Sequence, residues 1–108
     1  MDLRKMINPE LLIKNVSRHI ELGAAESEYF ISLLNYKKLK RKEFLLHSGE
    51  ICRHESFVVK GCLRTYHVDE GGLEHILAFS IEDWWAEDLY SFLTQTPAQL
   101  CIDALEDS

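Results

Sequence analysis

The run Phe57-Val58-Val59-Lys60-Gly61-Cys62-Leu63-Arg64-Thr65-Tyr66-His67-Val68-Asp69-Glu70-Gly71-Gly72-Leu73-Glu74 decides the fold. Its apolar opening ends at Lys60-Gly61. Cys62 to Val68 then mixes β-branched and aromatic residues with polar ones, as a half-buried strand does. Asp69-Glu70-Gly71-Gly72 follows. Glycine reaches positive φ without steric cost, so this tetrapeptide predicts a hairpin turn, with Leu73 to Phe79 as the return strand. Along that return, Ile76, Ala78 and Ser80 alternate with Leu77, Phe79 and Ile81. Both faces are apolar, which predicts a strand covered on both sides.

Working outward, Phe44-Leu45-Leu46 is a further strand ending at Ser48-Gly49-Glu50, and Leu100 to Leu105 begins another. Turn signals recur roughly every 8–12 residues, the spacing of an antiparallel sandwich or barrel. Between these strands lies Asp83-Trp84-Trp85-Ala86-Glu87-Asp88-Leu89-Tyr90-Ser91-Phe92-Leu93. Trp85, Leu89, Phe92 and Leu93 fall at helical spacing, so a short helix is expected there, closed by Thr94-Gln95-Thr96-Pro97. The first third reads as two helices. Asn8 is a good N-cap and Pro9 suits the first helical position. Leu12, Val16 and Ile20 share one face, and Gly23 is a plausible stop. A second helix is expected from about Ala24 to Leu34, with Tyr29/Leu33 and Phe30/Leu34 as its apolar pairs.

At 108 residues the chain is one domain at most, and its 46% hydrophobic content supports a real core. No apolar run approaches the roughly 20 residues of a membrane helix. The N-terminus lacks the apolar segment of a secretion signal. A cytoplasmic protein is expected. The net charge of -6 opposes nucleic-acid binding by this chain. Its densest basic cluster, Lys37, Lys38, Lys40, Arg41 and Lys42, reads as a solvated loop and strand edge, because no recognition-helix pattern sits nearby. Cys52, Cys62 and Cys101 include no CxxC pair and fit free thiols in a reducing compartment.

No chemistry of catalysis stands out. Glu87 and Asp88 are adjacent, so on a helix they point about 100° apart and do not form a facing acid/base pair. Cys62 and Cys101 sit in apolar strand patterns, where buried structural thiols are the default. The five histidines, His19, His47, His54, His67 and His75, include no HxH pair for a cupin-type metal site. His67 and His75 flank one turn and could face each other across the hairpin, with Cys62 or Cys101 nearby. Packed or surface histidines are the simpler reading. No catalytic residue, metal or cofactor is therefore assigned. Trp84 and Trp85 would fill core between helix and strands, or wall a small-molecule pocket.

The ordered string from residue 24 to 108 resembles the cyclic-nucleotide-binding domain of Crp/Fnr transcription regulators. The resemblance is carried by Leu46-His47-Ser48-Gly49-Glu50, by Phe57 to Arg64, by Asp69 to Glu74, by Trp84 to Phe92 and by Pro97 to Glu106. It implies a mainly β fold with N-terminal helices: an antiparallel β-roll or jelly roll (double-stranded β-helix). Residues 1–35 would be its helical segment and residues 36–108 an incomplete roll. It implies an effector-sensing regulatory domain, not an enzyme, homodimeric in the full-length protein, and reaching DNA only through a C-terminal domain that this sequence lacks. The family places a short helix with a glycine and a glutamate against a cyclic phosphate, and an arginine beyond it. Here Glu87 matches the glutamate, Ala86 stands at the glycine, and Ala98 or Gln99 at the arginine. From Gly61 onward the only arginine or lysine is Arg64. The ligand-contact candidates are therefore Glu87, Ala86, Arg64, Trp84, Trp85 and Gln99, for an unidentified small-molecule effector rather than ordinary cyclic AMP. A cupin-like enzyme and a β-roll interaction module are the alternatives.

Overall fold

The computed structural model describes residues 9–108; the expected cap at Asn8 lies outside them. The chain divides between Lys37 and Lys38 into two compact units.

The first unit holds α1 (Glu10–Ser17) and α2 (Ala24–Ser32). The Pro9 carbonyl accepts the first helical bond, from Ile13 N–H at 3.0 Å. α1 stops earlier than its apolar periodicity suggests. Arg18 and His19 fold back onto the Asn15 and Val16 carbonyls, and Ile20 lies beyond the helix, 56% exposed. Leu12 is buried, whereas Ile20 does not join its face. Gly23 is not the stop of α1. It precedes α2 in extended conformation, and its carbonyl accepts from Ser27 N–H at 2.9 Å.

The second unit is all strand and turn except for one short helix. Its strands are β1 (Phe44–Leu46), β2 (Ser56–Phe57), β3 (Leu63–Val68), β4 (Glu74–Ser80), β5 (Trp85–Ala86) and β6 (Cys101–Ala104), with α3 (Leu89–Thr94) between the last two. One antiparallel sheet runs in the order β1-β6-β3-β4; the other pairs β2 with β5. An isolated bridge, Ile51 to Pro97, and the bonds from Ala98 N–H to the Glu50 carbonyl and from Gly49 N–H to the Ala98 carbonyl join the loops flanking β1 and β6. Leu39, Leu46, Cys52, Val58, Leu63, Ala86, Ala98, Ile102 and Ala104 form one core, with Leu45 and Phe92 packed against it. The core side chains of β3, β6 and β1 are those that alternation places on one face: Leu63, Ile102, Ala104 and Leu46.

Gly61 precedes β3 at φ 103°, a conformation disfavoured for L side chains. Space also demands glycine here: a Cβ would lie 2.1 Å from Ser108 Oγ and 2.8 Å from its Cα. Ser108 is held by reciprocal backbone bonds with Leu39, of 2.7 and 2.8 Å.

In this second unit two further expectations are corrected. Asp83–Ala86 is not the start of a helix. Asp83 turns at φ 74°, Val58 N–H donates to the Trp84 carbonyl, and Trp85 pairs with Phe57 edge to face at 5.2 Å. Aromatic cross-strand pairing wins over helical spacing there, and the helix begins only at Leu89. Nor is β4 covered on both faces. It is the sheet edge, with Ile76 50%, Leu77 59% and Phe79 51% exposed. Alternation of apolar residues signals a surface that can be covered, but not what covers it.

Candidate functional site

The segment from Trp84 to Leu100 joins the core through Ala86 and Ala98, with Phe92 packed against it. Ala86 is buried within that core, opposite Ser56 on β2. Glu87 follows at partial burial, and its Oε2 is shielded from solvent without a hydrogen-bond partner. Burial raises the Glu87 carboxyl above its ordinary 4.5, and the nearby charge of Glu55 raises it further.

Asp88 organises the segment. It is 5% exposed and caps α3: Oδ1 accepts from Ser91 N–H at 3.1 Å. Oδ2 accepts from the backbone N–H groups of Gln99 at 3.1 Å and Leu100 at 3.3 Å. One carboxylate thus fixes both the entrance of α3 and the approach to β6. Ser91 extends the network. It is 1% exposed, donates Oγ–H to the Thr96 carbonyl at 2.6 Å and accepts from Cys52 N–H at 2.9 Å. α3 ends at Gln95 in the left-handed region, with its side-chain amide donating to the Phe92 carbonyl.

The side chains of the other expected residues lie apart from this network. Trp84 is 57% exposed, and Trp85 packs on Phe57. Gln99 contributes its backbone N–H to Asp88 while its side chain faces solvent. Arg64 is committed to the sheet. Its Nε and Nη2 hold both oxygens of Asp103 at 3.0 and 2.8 Å, Nη1 reaches Glu74 at 2.8 Å, and the guanidinium sits 4.0 Å over the Tyr66 ring. The Asp103 contact is the main cause of its raised pKa. The structure therefore brings Trp85, Ala86 and Glu87 together with the backbone of Gln99, through Asp88, and engages Arg64 elsewhere.

Sequence reading missed Ser91 and Asp103 and weighed Asp88 only as an acid that does not face Glu87. For Asp103 a signal existed: an acid inside the apolar run Cys101-Ile102-Asp103-Ala104 needs a cation, and Arg64 is the only lysine or arginine after Gly61. The thiol of Cys62 is pushed up, first by burial and then by Glu106 and Glu82, which disfavours a reactive thiolate. Among the described residues no group of three His, Cys, Asp or Glu side chains is arranged to hold a metal.

The architecture recurs in solved structures. The sensor domain of the transcriptional regulator DNR from Pseudomonas aeruginosa matches over 100% of this chain and 71% of its own, at TM-score 0.80 and 16% identity. The chain shares the β-roll fold of that domain. The Thermus thermophilus catabolite activator protein has the same roll, over 81% of this chain and 40% of its own, at TM-score 0.71 and 20% identity. So does the N-terminal domain of a transcriptional regulator from Streptomyces coelicolor A3(2), over 81% and 61%, at TM-score 0.68 and 19% identity. This chain thus spans less than two thirds of the length of the last two proteins. No protein-family model matches the sequence, and no curated protein matches it. The mainly β roll with N-terminal helices expected from the sequence is the observed fold. No helix among the described residues is long and apolar enough to cross a membrane.

Proposed function

We propose that this chain is the effector-sensing domain of a Crp/Fnr-type transcription regulator, cytoplasmic and without enzymatic activity, whose pocket does not take a cyclic phosphate. The sensor roll supports the regulatory role. The observation that carries the ligand reading is Asp88. Where the family presents free helix amides to a phosphate, this roll places a buried carboxylate on the Ser91, Gln99 and Leu100 amides. A phosphate there would have to displace an anion that is already held by the same kind of donors. Its usual cationic partner is absent from positions 98 and 99, and Arg64 is bound to Asp103 and Glu74. A charge-assisted hydrogen bond contributes roughly 1.5–3 kcal/mol, so its loss alone weakens binding tenfold or more.

The ligand-contact set is then Glu87, Trp84 and Trp85, with Ala86 and Gln99 shaping the wall. Carboxylates and indoles in that setting favour a neutral or cationic apolar effector. Residues 1–108 would act as a single sensing domain that biases a dimer between its DNA-reading states.

Thermal unfolding with added ligand tests the reading. A ligand at a hundred times its Kd stabilises by about 2.7 kcal/mol. Cyclic AMP and cyclic GMP at millimolar concentration should leave Tm unchanged. A set of small neutral and cationic aromatics should include one that raises Tm and alters tryptophan fluorescence. A clear upward shift with either cyclic nucleotide overturns the ligand assignment. No shift across the whole set favours a scaffold over a sensor.

A further inference from the structure

The β3–β4 hairpin carries a feature that the sensing role does not use. Regular pairing from Leu63–Ser80 onward would set His67 opposite Ile76. Instead Thr65 pairs with Ala78 and Tyr66 with Ile76, so Leu77 is an extra residue in β4. The bulge slides β4 by one position and brings His75 directly opposite His67, with ring centroids 6.4 Å apart. Directly opposed residues share a face of the sheet and have Cβ atoms about 5 Å apart.

A carboxylate backs one of the two rings. His75 Nε2 lies 2.8 Å from Asp69 Oδ2. Asp69 is itself fixed by the turn: Oδ1 accepts from the N–H groups of Gly71 and Leu73, each at 2.9 Å. Metal-binding histidines commonly donate one ring N–H to a carboxylate, which sets the tautomer and makes the other nitrogen a better ligand. With Nε2–H given to Asp69, the His75 lone pair is on Nδ1. His75 is half exposed and His67 is not buried, so each ring can turn toward a shared ion at little cost.

We propose that His67 and His75 form a two-imidazole clip for a borderline divalent transition metal, of the Ni²⁺, Cu²⁺ or Zn²⁺ class, with Asp69 as the outer partner that orients His75. Imidazole nitrogen suits these ions and not Mg²⁺ or Ca²⁺. The protein supplies two ligands and water completes the shell. The bound ion ties β3 to the exposed edge strand β4 near the turn.

The test uses the full chain and the metal alone. In ¹⁵N-labelled protein, substoichiometric Cu²⁺ should broaden the amide signals of His67, Val68, Glu74 and His75 first. Isothermal titration with Ni²⁺ should show one site, weakened at least tenfold in the double variant His67→Gln, His75→Gln. Asp69→Asn keeps a turn acceptor and should weaken binding by about tenfold, as second-shell losses do. The control variant His47→Gln, His54→Gln should bind as the parent does. Broadening centred elsewhere overturns the clip. So does unchanged affinity in the double variant, or loss of binding on Cys62→Ser instead. The broadening experiment needs no variant to fold.

Discussion

Replacing Asp88 with alanine should destabilise the roll by about 3 kcal/mol. Three backbone N–H groups lose their acceptor: Ser91 and Gln99 at 3.1 Å and Leu100 at 3.3 Å. Bonds to a charged group contribute roughly 1.5–3 kcal/mol when short, and an unmet buried donor costs about 1–3 kcal/mol. These three are long, so about 1 kcal/mol each is the appropriate scale. The helix-cap part alone accounts for about 0.5–2 kcal/mol. A domain of this size has about 5–15 kcal/mol in total, so the variant should still fold.

Asparagine at the same position separates the contributions. Its amide oxygen can still accept from Ser91, while its NH₂ would meet the Gln99 and Leu100 donors. Asp88→Asn should therefore retain only part of the lost stability, falling between the parent and Asp88→Ala. Urea unfolding at fixed pH, read as the shift in midpoint times the slope, gives both values. A loss under about 0.5 kcal/mol for Asp88→Ala would refute the clamp and, with it, the argument that the anion position is already filled.

Other variants probe separate contacts. Arg64→Met leaves the nearly buried Asp103 carboxylate without its bidentate partner and should cost about 3 kcal/mol by urea unfolding, the low end for breaking a buried ion pair. Gly61→Ala sets a Cβ against the Ser108 backbone at positive φ and should cost about 2–4 kcal/mol, seen as a lower Tm. The folded-state pKa of Glu87 is raised, so between its ordinary 4.5 and that higher value the native state binds more protons than the unfolded state. Its contribution is present below 4.5 and is lost as pH rises through the folded pKa. Glu87→Gln should flatten that decline, a result readable as urea midpoints from acid to neutral pH.

Most of the strands along the chain, though not their order in the sheets, were legible because their signals are local. Gly61 and Gly72 mark places where the chain needs positive φ or tight approach, and the apolar runs between turns are short. The helix at Trp85 was misread because Trp85, Leu89 and Phe92 do satisfy helical spacing. What decides between helix and strand is Phe57, far away in sequence, which offers Trp85 a cross-strand partner. The burial of Asp88 was not legible, since nothing near it in sequence tells that Gln99 and Leu100 return to it. Arg64 was offered as a source of polarity for a ligand for the same reason: its claim by Asp103 depends on β3 and β6 lying side by side. Local chemistry is written in the chain; which polar groups meet is written in the topology.

The acids of the Trp84–Leu100 segment then have a common physical explanation. A site built for phosphate keeps its amides unpaired and its arginine free, and both cost stability until the ligand arrives. Here Asp88 satisfies the amides from within and Arg64 is satisfied by Asp103 and Glu74. What remains unsatisfied is Glu87 Oε2, shielded and without a partner beside another acid, Glu55. The electrostatic demand of the site has changed sign relative to a phosphate site. A hydrogen-bond donor or a cation brought to Glu87 would lower its carboxyl toward the ordinary range and be stabilised in return, whereas an anion would be repelled by the ionised form. An effector that binds this roll should therefore do so more tightly as Glu87 ionises, and Glu87→Gln should remove that pH dependence without removing the apolar contacts of Trp85.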